Sequence, residues 1–118
     1  MFRVKHSLYA SAGWGVLVLV SDGRWFEFGG TARRTNNEAE LCAVIEALQF
    51  LYRFFVQSSA GSATSNGSLV RYDSTYAAYS IAGRFNGTKN PELIAAGRCA
   101  LTQLQQVSKC RFMHVKGH

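Results

Sequence analysis

Acidic residues are scarce in this chain. Seven Asp and Glu stand against thirteen Lys and Arg, a net charge of +6 over 118 residues. None of the acids precedes Asp22 and none follows Glu92. Such a balance favours polyanionic partners. Cysteine is also sparse, with only Cys42, Cys99 and Cys110. An odd number without framework spacing suits a reducing compartment better than a disulfide scaffold, so an intracellular, cytoplasmic location is expected. No apolar run reaches the length of a membrane span, and the stretch from Val16 to Val20 is too short to serve as one. The Lys-bearing N-terminus does not read as a signal peptide. Internal repeats and interdomain linkers are missing too, so one domain over residues 1–118 is expected. The hydrophobic content of 47% is that of a globular core.

The remaining sequence is well patterned. Phe2 to Tyr9 reads as a first strand and Trp14 to Val20, rich in β-branched residues, as a second. Ser21-Asp22-Gly23-Arg24 carries the Asp-Gly hairpin signal, and Trp25 to Gly29 follows as a third strand. Thr35 with Glu38 three residues later makes a capping box. Leu41, Val44, Ile45 and Leu48 then recur at i, i+3, i+4 and i+7, which predicts a helix over about residues 36–55 with one apolar face. Residues 57–68, rich in Ser, Gly, Ala and Thr, read as a surface loop. Ser68 to Tyr72 is a short strand, with a helix over about residues 74–82 after it. Gly83 to Lys89 is a basic loop. The only proline, Pro91, sits at the first position of a further helix, with Asn90 as its N-cap. Leu93, Ile94, Leu101, Leu104 and Val107 mark that helix's core face, and Cys110 to Val115 forms the last strand. Three strands, a helix, a strand, helices and a strand predict an α/β fold: a five-stranded mixed sheet with helices packed on it.

Two carboxylates stand out. Glu40 lies four residues before Val44, at the edge of the apolar stripe, where a charge is costly unless something holds it. A metal ion would do so; the plain alternative is a solvated Glu favouring the helix dipole. Asp73 follows a strand end, where ligands gather in α/β sheets; the plain alternative is a helix cap. Cys110, His114 and His118 fall at four-residue spacing, but on a strand they would form a line rather than close a tetrahedron, so zinc is not expected. His114 reads as a half-buried strand residue.

Taken in order, the blocks Gly13-Trp14-Gly15, Gly29-Gly30, Thr35-Asn36-Asn37, Glu40 with its helix, Tyr72-Asp73-Ser74-Thr75-Tyr76 and Val115-Lys116-Gly117-His118 resemble the type 1 ribonuclease H family. The resemblance spans Gly13 to His118. It implies a ribonuclease H-like sheet and a relation to endonucleases that cut the RNA strand of RNA–DNA hybrids with two Mg²⁺ ions held by four carboxylates. Glu40 and Asp73 match two of the four. The first-strand Asp of the family falls here on Lys5 or, with a shifted gap, on Phe2 or His6. The fourth belongs to a helix after Val-Lys-Gly-His, and the sequence stops at His118. The expectation is therefore a fold lacking its last helix, either a fragment or a degenerate relative.

The resemblance also implies substrate contacts. Asn36 and Asn37 match residues that meet the hybrid in its minor groove, where 2′-hydroxyls are displayed. Thr35 matches a phosphate contact. Thr75 stands where the family often has a groove-reading Gln, and Ser74 beside it reads first as a helix cap. Arg84 and Lys89 would follow the DNA strand's phosphates. His118 matches a mobile histidine that assists proton transfer or product release. Two Mg²⁺ ions in close proximity need several carboxylates to offset their repulsion. Glu40 and Asp73 alone would hold one Mg²⁺ or Mn²⁺ weakly, and a Lys near the missing Asp would compete with it. The sequence thus leaves three readings: an impaired ribonuclease H, a non-catalytic nucleic-acid-binding domain, or a protein–protein module that keeps only the fold. The open region beside the last strand predicts a homo-oligomer.

Overall fold

The hairpin signal at Gly23 forms as read. Gly23 sits at φ +97°, a conformation glycine adopts without steric cost. Its N–H donates to Val20 O at 2.9 Å, and the Val20 N–H donates to Arg24 O at 2.9 Å. This reversal sets β2 (Gly13–Leu19) antiparallel to β3 (Trp25–Thr31), with Leu19 opposite Trp25 and Gly13 opposite Thr31. The structure is a computed structural model and describes residues 2–7, 13–20, 23–31, 35–57, 67–72, 75–83 and 89–115. Within these, residues 2–7, 36, 75 and 76 are described by backbone alone.

β1 (Phe2–Ser7) pairs antiparallel with β2 and parallel with β4 (Ser68–Tyr72). β4 pairs parallel with β5 (Cys110–His114), giving the order β3-β2-β1-β4-β5. The expected five-stranded mixed sheet is present, its first three strands sequential and antiparallel.

Register explains the core. Phe26 lies opposite Val18, Val18 opposite Phe2, Phe2 beside Val70, and Val70 beside Phe112. Neighbours in register share a sheet face, so one row of apolar positions crosses all five strands. Helix α1 (Asn36–Gln57) covers that face with the buried Leu41, Val44, Ile45, Leu48 and Leu51. Each such side chain contributes roughly 1.5–3 kcal/mol of transfer free energy. Two shorter helices, α2 (Thr75–Ile81) and α3 (Pro91–Gln105), complete the layer through Ala77, Ile81, Ile94, Ala100 and Leu104. α3 approaches closely at Gly97, where a Cβ would come within 2.6 Å of Ile81 Cγ1 and 3.2 Å of Ile45 Cγ1. No described helix is long and apolar enough to cross a membrane.

Three details differ from the sequence reading. Asn90 does precede α3, but at φ 57° and ψ 45° and without a side-chain cap hydrogen bond. Capping needs extended backbone at that position, and the left-handed turn carries the carboxamide away. Val107 lies beyond the last helical residue and is exposed, because α3 ends before the apolar stripe reaches it. His114 is exposed rather than half-buried, at the end of edge strand β5.

The opposite face of the sheet carries exposed apolar side chains: Leu19, Trp25 and Met113. Leu19 and Trp25 are register partners, and Met113 lies beside Arg71.

Candidate functional site

Strand direction decides where a site forms. β1, β3, β4 and β5 run one way and β2 the other. The carboxyl ends Ser7, Thr31, Tyr72 and His114 therefore share one edge with Gly13, the start of β2. Ligands of α/β sheets gather at such edges.

Trp14 fixes α1 over this edge. Its side chain packs on Ala39, which is fully buried in the first turn of the helix. It also meets Phe28 edge-on, with centroids 6.2 Å apart. The two glycines of β3 make room. A Cβ at Gly30, the register partner of Trp14, would come 2.7 Å from the indole Cζ2, and one at Gly29 would come 2.5 Å from Trp14 O. Sequence reading noticed these glycines but not their purpose; the available signal was a large aromatic facing glycine across two strands.

Glu40 follows Ala39 and is half-buried at the same edge. The Glu38 N–H donates to Thr35 Oγ1 at 3.1 Å, the Thr35 half of the expected capping box. Thr35 and Asn37 are exposed at the same helix start. Asn36 opens the helix, and its side chain is not described. The start of α1 thus carries Thr35, Asn36, Asn37 and Glu40 at the sheet edge.

The end of β4 is firmly set. Tyr72 is buried, its ring lies 5.4 Å from His114 and 6.2 Å from Phe112, and its carbonyl accepts the Val115 N–H at 2.8 Å. Asp73 and Ser74, the next two residues, lie outside the described residues, and α2 resumes at Thr75. Arg84 and His118 also lie outside them, whereas Lys89 is described and exposed just before α3. Sequence reading did not single out the tilted Tyr72–His114 contact; aromatic residues at the ends of both parallel strands were its signal.

The donor chemistry is that of hard oxygen ligands. Glu40 supplies one carboxylate, and Asp73 the residue next after Tyr72. Such donors suit Mg²⁺ or Mn²⁺. β1, between β2 and β4 in the middle of the sheet, carries Arg3, Lys5 and His6 and no acid. Among the described residues no three His, Cys, Asp or Glu stand together. A single cation on two carboxylates fits this set better than a pair of cations does.

The cysteines take no part in the site. Burial pushes the Cys110 thiol up to about 11, against a lowering hydrogen bond from Ser68. Burial raises Cys42 as well, helped by the negative charges of Glu38 and Glu46.

Comparison with known proteins gives a consistent picture. A family model described as RNase H matches residues 7–118. A ribonuclease H of Neisseria meningitidis is 49% identical over 43 residues, covering 36% of this chain and 30% of that protein. The matched segment therefore spans less than a third of that relative's length. Among solved structures, RNase H1 of the halophilic archaeon Halobacterium salinarum superimposes with a TM-score of 0.68 at 24% identity, covering 98% of this chain and 83% of that one. LC11-RNase H1 in complex with RNA/DNA hybrid superimposes at 0.70 with 21% identity and the same coverage. At these identities the two structures speak for the fold.

Proposed function

This chain belongs to the RNase H family, and from that premise we propose an RNase H-like nucleic-acid domain that engages RNA–DNA hybrids and cleaves them only slowly by itself. Hybrid binding is supported by the start of α1, which carries Thr35, Asn36, Asn37 and Glu40 at the sheet edge, by the net charge of +6, and by the hybrid complex of a structural neighbour. A helix N-terminus with exposed polar side chains is suited to phosphate. Lys89, exposed before α3, and Arg84, on the family resemblance, would pair with the phosphates of the DNA strand.

The observation that carries the catalytic half of the reading is the acid-free β1. Glu40 and Asp73 would hold a divalent cation, Mg²⁺ or Mn²⁺, which when bound supplies water activation and charge stabilisation at the phosphodiester. Without a third carboxylate from the central strand, and with Lys5 on that strand, the cation is held weakly. His118, on the family resemblance, would assist proton transfer or product release. We place the protein in the cytoplasm on the strength of its three free cysteines. We further propose that it self-associates through the exposed register partners Leu19 and Trp25 at the β2–β3 edge of the sheet.

Fluorescence anisotropy with a labelled blunt hybrid at rising salt tests the binding half. Affinity should fall steeply, with a log–log slope near −0.9 per phosphate contact as an order-of-magnitude guide. Asn37→Ala should weaken binding at every salt concentration. Absence of binding at low salt would leave the fold with a protein–protein role instead.

A further inference from the structure

The far end of α1 holds a second concavity that the hybrid reading does not use. Arg24, Phe26, Phe50, Arg53, Phe54 and Gln57 enclose a surface pocket of about 300 Å³, the size at which small-molecule sites begin. Phe54 lies fourteen residues after Glu40, about 21 Å along the helix axis at 1.5 Å per residue.

The wall is aromatic. Phe26 and Phe50 have centroids 5.3 Å apart, Phe26 and Phe54 6.2 Å, and Phe50 and Phe54 6.3 Å with planes inclined by 18°. The rim is cationic. The Arg24 guanidinium lies 5.5 Å from the Phe54 centroid, and Arg53 is exposed beside it. Phe50, Arg53, Phe54 and Gln57 recur at i, i+3, i+4 and i+7, so they form one stripe of α1. This stripe lies half a turn round the helix from Leu41, Val44, Ile45 and Leu48, and it carries two half-buried rings with an exposed guanidinium and an exposed carboxamide.

We propose that this pocket binds a nucleotide unit, with the base against the Phe54 and Phe50 rings, the phosphate on Arg24 and Arg53, and the Gln57 carboxamide on the base edge. Aromatic faces accept any base by stacking, and arginine combines phosphate pairing with ring stacking. The unit is either a free nucleoside phosphate or one residue of a single-stranded stretch. The pocket shares no residue with the Glu40 turn, so the inference stands apart from the hybrid reading.

The test is anisotropy of a labelled hexathymidylate on the 118-residue chain, with unlabelled competitors. Hexathymidylate should compete about tenfold better than an abasic hexamer with the same phosphates, and inorganic phosphate should not compete at matched ionic strength. Arg53→Gln and Phe54→Leu should each weaken the hexamer about tenfold, while Arg53→Gln leaves the blunt-hybrid titration unchanged. AMP competing as well as the strand would identify the free nucleotide as ligand; AMP failing where the strand succeeds would identify the strand. Equal competition by abasic and base-bearing hexamers would overturn the proposal. So would an unchanged hexamer affinity in Arg53→Gln, a surface variant whose folding is checked by its circular dichroism melt. Loss of hybrid binding in the same variant would also overturn it, because the pocket would then be part of the hybrid path.

Discussion

At the scale of single residues, the cysteines give a clear expectation. Thiolate is the reactive form. With its thiol pushed up to about 11, Cys110 is ionised to only about one part in a thousand at pH 8. Cys99 is exposed. Iodoacetamide at pH 8 should therefore label Cys99 first, Cys42 slowly and Cys110 last, and Cys110 should become reactive only as pH nears 11. Peptide mass spectrometry over a pH series reads this directly. The sign for stability follows: the unfolded thiol loses its proton first, near pH ~8.5, so stability is complete below that value and declines as pH climbs toward 11. Early labelling of Cys110 would show that the β4–β5 edge opens. Sequence alone marked all three thiols as reduced but could not rank them, because burial depends on which strand meets Ser68 and Ser108.

At the scale of elements, Trp14 and Gly30 connect the sheet to α1. Gly30→Ala puts a methyl group 2.7 Å from the indole ring, closer than packed atoms tolerate, and a clash of this kind typically costs about 1–3 kcal/mol. The variant should melt lower, show a shifted Trp14 emission and bind hybrid more weakly, since Ala39 and Glu40 move with the ring. An unchanged melt and emission would show that the indole is not what seats the helix. α1 was legible in the sequence because its cap and its stripe are local signals: the Glu38-to-Thr35 bond forms, and Leu41, Val44, Ile45 and Leu48 are buried. The hairpin was legible for the same reason. The Asn90 cap was misread because its left-handed backbone, at φ 57° and ψ 45°, is not signalled by residue type. The Trp14–Gly30 pairing was not read as a support because its partners are far apart in sequence. Of the site, the Glu40 turn was visible as a local motif, whereas the edge it shares with four strand ends emerges only from topology. Asp73, Ser74, Arg84 and His118 fall outside the described residues, so their approach to Glu40 is an expectation for experiment.

At the scale of the whole molecule, charge and open surface act together. The exposed Leu19 and Trp25 pair should draw two copies together, and light scattering should show a dimer at high concentration. Trp25→Lys, at an exposed position, should return it to a monomer without lowering the melt; a monodisperse native monomer would contradict self-association. The central claim is narrower: the fold supports hybrid binding, while an acid-free β1 leaves metal-dependent cleavage weak. Single-turnover cleavage of a labelled hybrid tests it most directly, with the unmodified chain, Lys5→Asp and Asp73→Asn compared in Mg²⁺ and in Mn²⁺. The account predicts little or no cleavage by the unmodified chain in Mg²⁺, a trace in Mn²⁺, a clear gain in Lys5→Asp and loss of all remaining cleavage in Asp73→Asn. Fast Mg²⁺-dependent cleavage by the unmodified chain, abolished by Asp73→Asn, would contradict it.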